Sequence, residues 1–392
     1  MQERHRGKKI CIVGPSKRFF SGLSAYTICL ANALSSGNEV SVVLLRNLLP
    51  KFLYPGREHV GREDYSLYFT SAIKAYDGMD WNSPLTWLRA YRFLQRKKPE
   101  VIIMQWWTSS VAHLQLLLTL ANSMKTRATL ILEIHEIVDP LEESILPIKL
   151  YSRIMGKLLM KSVDVFVVHS HITKKQATEI YHLNKDRVAV IPHGRYDTYY
   201  RDYDKQAARD ELGIKEEFTI LFFGMIRRYK GIPYLVEAFN KLPHDIARHC
   251  RLVIVGEDWG DETSLGGLIN LSPYREHITY KPQFVPDDFI PKYFSAADVS
   301  VLPYTTTSGS GVANIAMAYG RSIITSDLKV MRECLVGYKG AAFVPVGDVT
   351  AIRENLLEIY GWYKTGKSLV YDPAGNTWDE VARQYEGIIG RL

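Results

Sequence analysis

The sequence predicts an α/β protein of two doubly wound parallel-sheet domains, and three observations carry that prediction. A chain of 392 residues exceeds what one compact core serves and suits two domains of about 150–200 residues. Short Ile/Val/Leu runs alternate with helical patterns throughout; strands reading as unbroken apolar runs are buried on both faces, as in a parallel sheet covered by helices. The alternation breaks once, at the polar segment 196–213, rich in Tyr, Asp and Arg, and then restarts. A composition of 46% hydrophobic and 23% charged residues excludes a disordered, collagenous or coiled-coil chain.

In the first half, strands are expected at residues 9–13, 39–45, 101–105, 129–134, 163–169 and 188–191, separated by helices at 22–35, 84–97, 109–123, 146–162 and 174–181. The segment 196–213 reads as a linker. Beyond it, strands are expected at 219–223, 251–255, 277–280, 299–302, 322–325 and 342–344, with helices at 233–240, 312–319 and 351–360. This places one domain at 1–198, a second at 199–375 and a terminal helix in 376–392. In such sheets ligands bind beyond the carboxyl ends of the strands.

No apolar run reaches the ~18 residues of a membrane-spanning helix; the nearest, 111–121, contains His and Gln. The charged residues 1–9 lead into a four-residue apolar run, which is not the pattern of a secretory signal. Cysteines at 11, 29, 250 and 334 form no CxxC pair and read as free thiols of a reducing compartment. The expected location is cytoplasmic, peripheral at the inner face of the membrane.

Charge is unevenly spread. Residues 1–200 carry 27 Lys and Arg against 17 Asp and Glu, whereas residues 201–392 carry 22 against 25, giving +7 overall. A basic half points to an anionic partner such as a phosphorylated substrate or a phospholipid surface. Without zinc-finger spacing, an RNP aromatic motif or an Arg-rich tract, nucleic acid is not expected as a partner.

Two signatures are decoys. Gly361-Trp-Tyr-Lys-Thr-Gly366-Lys367-Ser368 fits the P-loop pattern but follows a helical pattern instead of opening a helix, where amide donors would be available. Asp202-Tyr-Asp204 resembles a metal-binding pair, yet no strand positions it. No metal ligand set is assigned.

Three loops follow strands and open helices. The first, 14–22, ends at Gly22, whose small size lets a phosphate or sugar approach the amides of the helix start. In the second, Gly224-Met-Ile-Arg227-Arg228-Tyr229-Lys230-Gly231, three cations within four residues suit a diphosphate. The third, Ser308-Gly309-Ser310-Gly311-Val312, is a Gly-rich stretch whose amides suit anionic oxygens; Gly-Ser-Gly is not a nucleophile elbow.

The order Gly22, Pro192-His193-Gly194, Gly224…Arg227…Lys230-Gly231, Val-Gly256, Ala-Asp298-Val-Ser-Val-Leu-Pro303 and Ala316-Met-Ala-x-Gly320 resembles family 4 of the retaining glycosyltransferases. The resemblance covers nearly the whole chain. It implies the GT-B fold: two Rossmann-like domains facing across a cleft, with residues 378–389 as the C-terminal helix that crosses back to the first domain. It implies a hexosyltransferase-type enzyme (EC 2.4) that needs no metal and retains the anomeric configuration. The donor would be a UDP- or GDP-sugar, the acceptor a glycan, a lipid-linked sugar or a small molecule. Carried over by position, Arg227 or Arg228 and Lys230 would neutralise the leaving diphosphate, with Gly224 and Arg228 in the donor site and Gly22 close to the diphosphate from the other side of the cleft. His135 would stand near the donor sugar as a catalytic residue. The alternatives are a silent sugar-nucleotide-binding protein of the same fold and a GT-B epimerase or phosphorylase.

The chain also departs from the family. Its usual Glu-x7-Glu falls on Thr307 and Ile315, so both carboxylates are missing, and Met225 stands where an Arg usually follows Gly224. The Ser-Gly-Val sequence resembles a branch of the family that lacks these glutamates. The 308–312 loop is then expected to cradle the donor, with Asn314 or Glu257 holding the ribose. On the acceptor side, Gln105-Trp106-Trp107 ends a strand; its two Trp alternate faces, one to stack on a sugar ring or enter the lipid interface while the other packs in the core. In 146–162, Lys149, Arg153, Lys157 and Lys161 recur every four residues beside Leu150, Ile154, Leu158 and Leu159, a pattern fit for an anionic membrane surface.

Overall fold

The computed structural model describes residues 7–17, 22–47, 67–108, 111–123, 127–137, 146–260 and 263–392, without the side chains of 146–149, 152 and 153. Loop residues 18–21 and the side chains of Lys149 and Arg153 therefore lie outside the described residues. Two compact units emerge, one ending at His193 and regaining 376–392, the other covering 194–375.

The first unit contains β1 (Lys9–Pro15), α1 (Gly22–Leu34), β2 (Glu39–Asn47), β3 (Lys74–Asp80), α2 (Pro84–Lys97), β4 (Val101–Trp106), α3 (Ala112–Ala121), β5 (Thr129–Ile134), α4 (Leu146–Lys161), β6 (Val165–Val168), α5 (His171–Tyr181) and β7 (Val188–Val190). The strands form one sheet in the order β3-β2-β1-β4-β5-β6-β7. Every pairing is parallel, with Ile12 of β1 opposite Val42 of β2 and Ile103 of β4. The central strands are buried along their length, as their continuous apolar runs require. Strand order reverses between β1 and β4, which sets the ligand-binding crevice at the carboxyl edge there.

The second unit contains α6 (Lys205–Leu212), β8 (Phe218–Phe223), α7 (Ile232–Asn240), β9 (Cys250–Val255), β10 (Ile278–Lys281), α8 (Ile290–Ala296), β11 (Val299–Leu302), α9 (Gly311–Ala318), β12 (Ser322–Ser326), β13 (Ala341–Val344) and α10 (Val349–Lys364). Its parallel sheet runs β10-β9-β8-β11-β12-β13 and reverses between β8 and β11. α11 (Trp378–Ile389) belongs to the first unit and packs on α1. Its start is written locally: Thr377 and Glu380 form a capping box, each side chain taking the other's backbone N–H.

One expectation is corrected, and one strand lies outside those expected. The 196–213 segment is not a linker: Tyr196 and Tyr199 are buried, and 205–212 form α6, capped by Asp204 and closed by Gly213 at φ +71°. Asp298, fully buried, ties α6 down by accepting from Arg209 Nη2 at 2.6 Å, from the Thr219 amide at 2.7 Å and from Lys205. Strand β3 was not foreseen, because Asp77, Gly78 and Asp80 conceal it. The P-loop-like stretch lies where α10 ends, with Gly366 at φ +74°, and so offers no helix start to a phosphate. Among the described residues, no helix is long and apolar enough to cross a membrane.

Candidate active site

In the second unit, the loops leaving β8, β9 and β11 are locked together. The Gly224 amide donates to Val255 O at 3.0 Å, and that of Ile226 to Glu257 O at 2.8 Å. Gly256 has φ +149°, and a Cβ there would lie 1.9 Å from Gly224 O, so only glycine lets β8 and β9 meet this closely. The Thr305 amide donates to Tyr229 O at 2.8 Å, which pins the β11 loop to the basic loop.

These connections bring two of the three predicted loops together. Lys230, 8% exposed, sits with Nζ 3.9 Å from the ring centre of buried Tyr304. The Tyr304 hydroxyl lies 3.2 Å from Ser310 Oγ, and Ser310 caps α9 by accepting the Ala313 amide at 3.1 Å. A cation and a helix N-terminus thus share one aromatic hinge at the carboxyl edge of the sheet. The Gly311 and Val312 amides open α9, where no intrahelical acceptor exists for them. Arg227 is half-buried, its guanidinium 5.0 Å from the Trp259 ring, and Arg228 is exposed. Burial pushes the Tyr304 hydroxyl well above its ordinary range, so it remains a neutral platform for Lys230.

Other candidates fare differently. Asn314 is buried; its Nδ2 donates to Ser310 O at 3.3 Å and its Oδ1 faces Cys334 Sγ at 4.0 Å, so it is not placed to hold a ribose. Glu257 stays partly exposed and accepts Trp259 Nε1 at 3.2 Å. Ser308, Gly309, Gly311 and Val312 keep accessible surface, whereas Ile315, standing where the family has a Glu, is 6% exposed. Ile315→Glu would bury a carboxylate among apolar atoms. It is expected to cost about 3–5 kcal/mol in urea unfolding without raising turnover.

In the first unit, Gly22 opens α1, and among the described residues no atom lies within 4 Å of a Cβ built on it. Gln105 and Trp106, expected on the acceptor surface, are instead buried at 0% and 3% exposure, since both faces of β4 are covered. Gln105 accepts from Thr27 Oγ1 at 2.6 Å and donates to Glu133 at 3.2 Å. Trp107, half-buried, is the one of the three that keeps exposed surface.

Three histidines, His135, His169 and His193, follow β5, β6 and β7 along the carboxyl edge. His135 does not present a ring nitrogen outward. Its Nδ1 is 3.1 Å from His169 Nε2, and its Nε2 is 3.3 Å from Glu133 Oε2. Glu133, wholly buried, escaped sequence reading as one acid within an apolar strand. The available signal was Glu133-Ile-His135, since residues two apart on a strand share a face. Its Oε1 accepts from Tyr26 of α1 and Tyr385 of α11, both at 2.5 Å. Burial alone would raise this carboxyl, but the charge and hydrogen bond of His135, with the hydrogen bond of Tyr26, bring it down to about 2. Burial and the neighbouring His135 lower His169 to about 4. Ligating atoms of Glu133, His135 and His169 lie within 4.8 Å of one another, while Glu133 Oε1 accepts from two tyrosines and His135 Nδ1 pairs with His169 Nε2.

Residues 217–361 match the family profile described as glycosyl transferases group 1, and residues 20–196 match that of glycosyltransferase family 4. The two matches take in most of the chain, which belongs to this glycosyltransferase family. A D-inositol 3-phosphate glycosyltransferase of Nocardia farcinica is 32% identical over 184 residues, covering 45% of this chain and 41% of that one. An uncharacterized glycosyltransferase of Methanocaldococcus jannaschii is 25% identical over 264 residues, 62% of each chain. The matched region therefore spans less than two thirds of these curated relatives. The Anabaena HepE structure in complex with UDP and glucose superposes with a TM-score of 0.68 at 16% identity, covering 98% of this chain and all of that one. That likeness, with the two sheet orders above, defines the fold as GT-B.

Proposed function

We propose that the protein transfers a hexose from a UDP- or GDP-sugar to a glycan, lipid-linked or small-molecule acceptor, with retention of configuration and without a metal. The observation that carries this reading is the joining of Lys230 to the α9 N-terminus through Tyr304 and Ser310. The barrier to such a transfer is the negative charge developing on the departing diphosphate. Fixed cations and helix amides, already oriented, stabilise that charge without reorganising. Lys230 is assigned to the diphosphate, with Arg227 and Arg228 beside it and the Gly311 and Val312 amides opposite a phosphate oxygen. Glu257 is assigned to the ribose in place of the missing carboxylate. The naming of relatives as glycosyltransferases and the UDP and glucose in the HepE structure support the reading. Incubation with a panel of nucleotide sugars, with chelator present, is expected to release nucleoside diphosphate from at least one donor. Binding of a donor without release would favour the silent-protein alternative.

An anionic membrane surface is proposed as a further partner of the first unit. On α4, Leu150, Ile154 and Leu158 are 59%, 51% and 47% exposed, next to exposed Lys157 and Lys161. Apolar residues spaced by four and left open beside lysines suit the interface of an anionic bilayer. Sedimentation with acidic vesicles should capture the protein, neutral vesicles should not, and salt should weaken capture. Lys157→Glu with Lys161→Glu is expected to abolish it; equal capture by neutral vesicles would contradict the assignment.

A further inference from the structure

We propose that Glu133 is a positioning residue that, with His169, holds His135 as an imidazolium cation at the carboxyl edge of the first sheet. The proton positions follow from what each partner can do. Ile191 O only accepts, and it lies 3.0 Å from His169 Nδ1, so that nitrogen carries the hydrogen. A neutral His169 then has a lone pair on Nε2, which accepts from His135 Nδ1–H at 3.1 Å. The remaining nitrogen of His135, Nε2, is buried and faces a carboxylate oxygen at 3.3 Å. With a lone pair there, two electron-rich atoms would oppose each other in a dry interior; with a hydrogen there, they form an ion pair.

The surrounding groups favour the charged carboxylate. Tyr26 and Tyr385 both donate to its Oε1, and Gln105 Nε2 donates to Oε2 at 3.2 Å. Burial and the Glu133 charge hold the Tyr385 hydroxyl far above its usual range, so it remains a donor. The Tyr26 ring packs edge-on against both His135 and His193, each at 4.7 Å, while Trp378 lies 5.0 Å from Tyr26. Groups from α1, β4, β6, the segment after β7 and α11 therefore converge on one buried ion pair. His135 acts here through its field, because its Nδ1 is bound to His169 and its Nε2 is buried against the Glu133 carboxylate. A fixed cation at this edge would stabilise anionic charge on a bound phosphate.

This proposal rests on the glycosyl-transfer reading for its effect on rate, but its charge assignment can be tested without turnover. Nitrogen-15 and proton NMR of the histidine side chains distinguishes an imidazolium from either neutral tautomer. The His135 signals are identified by their loss in His135→Asn. At pH 7.5 the wild-type protein should show His135 protonated on both nitrogens and His169 as the neutral Nδ1–H tautomer. Glu133→Gln should leave His135 neutral at that pH and lower kcat at least tenfold, with KM for the donor changed less than twofold. A neutral His135 in the wild type would overturn the proposal, even if the variant failed to fold. Unchanged kcat in folded Glu133→Gln would overturn the positioning role. An imidazolium signature in a protein that turns over no nucleotide sugar would uphold the charge assignment and defeat the glycosyl-transfer reading.

Discussion

Lys230→Ala is expected to weaken binding of UDP or GDP by about 1.5–3 kcal/mol, roughly 10- to 150-fold, the range for a hydrogen bond to a charged group. The reason lies in how the side chain is held. Gly231 adopts φ +64°, where a Cβ would lie 2.0 Å from Pro303 O, so the chain after Lys230 turns tightly against the β11 loop. The Lys230 ammonium is thereby seated on Tyr304, close to the capped start of α9. Its position is fixed before any ligand arrives, and little side-chain entropy remains to be lost. Arg228 is exposed, where solvent screens its charge, so Arg228→Ala should have a smaller effect. Calorimetry on both variants, each checked for unchanged circular dichroism, measures the difference. Equal affinity of wild type and folded Lys230→Ala would remove the lysine from the donor site.

Gly256→Ala is expected to destabilise the protein by about 3–5 kcal/mol, combining a strained backbone with a forced separation of strands. At φ +149° an L side chain is disfavoured, and the added methyl would occupy the space of Gly224 O. The obstruction is backbone, so no rotamer relieves it. Because Gly224 starts the basic loop, relaxation would displace Arg227 and Lys230 as well. Urea unfolding should show a lower midpoint with an unchanged slope. A stability within about 0.5 kcal/mol of wild type would mean that this close approach is not maintained in solution.

The sheets were legible because their strands are apolar runs, such as Thr-Ile-Leu-Phe-Phe in β8, whose burial on both faces leaves a composition signal. The same burial made side-chain direction illegible: with no polar face on β4, nothing in Gln105-Trp106-Trp107 marked which residue turned outward. Helix α6 was missed although Asp204 and Gly213 bracket it, because the polarity of 196–213 outweighed those caps. Lys230 was legible as one of a run of cations at a strand end. Its aromatic seat was not, since Tyr304 and Ser310 belong to another loop. Glu133 shows the limit most clearly. Tyr385, which donates to it, lies 252 residues further along the chain, and only the folded first unit brings them together.

We propose retaining, metal-independent transfer from a nucleotide sugar bound at the Lys230 loop and the α9 N-terminus. Proton NMR of the anomeric centre, followed during turnover of a UDP- or GDP-sugar with chelator in excess, tests it most directly. The expected result is release of nucleoside diphosphate together with a first-formed product of the donor's own anomeric configuration, both lost in Lys230→Ala. An inverted product would exclude retention, and dependence of turnover on added divalent cation would exclude metal-independent transfer.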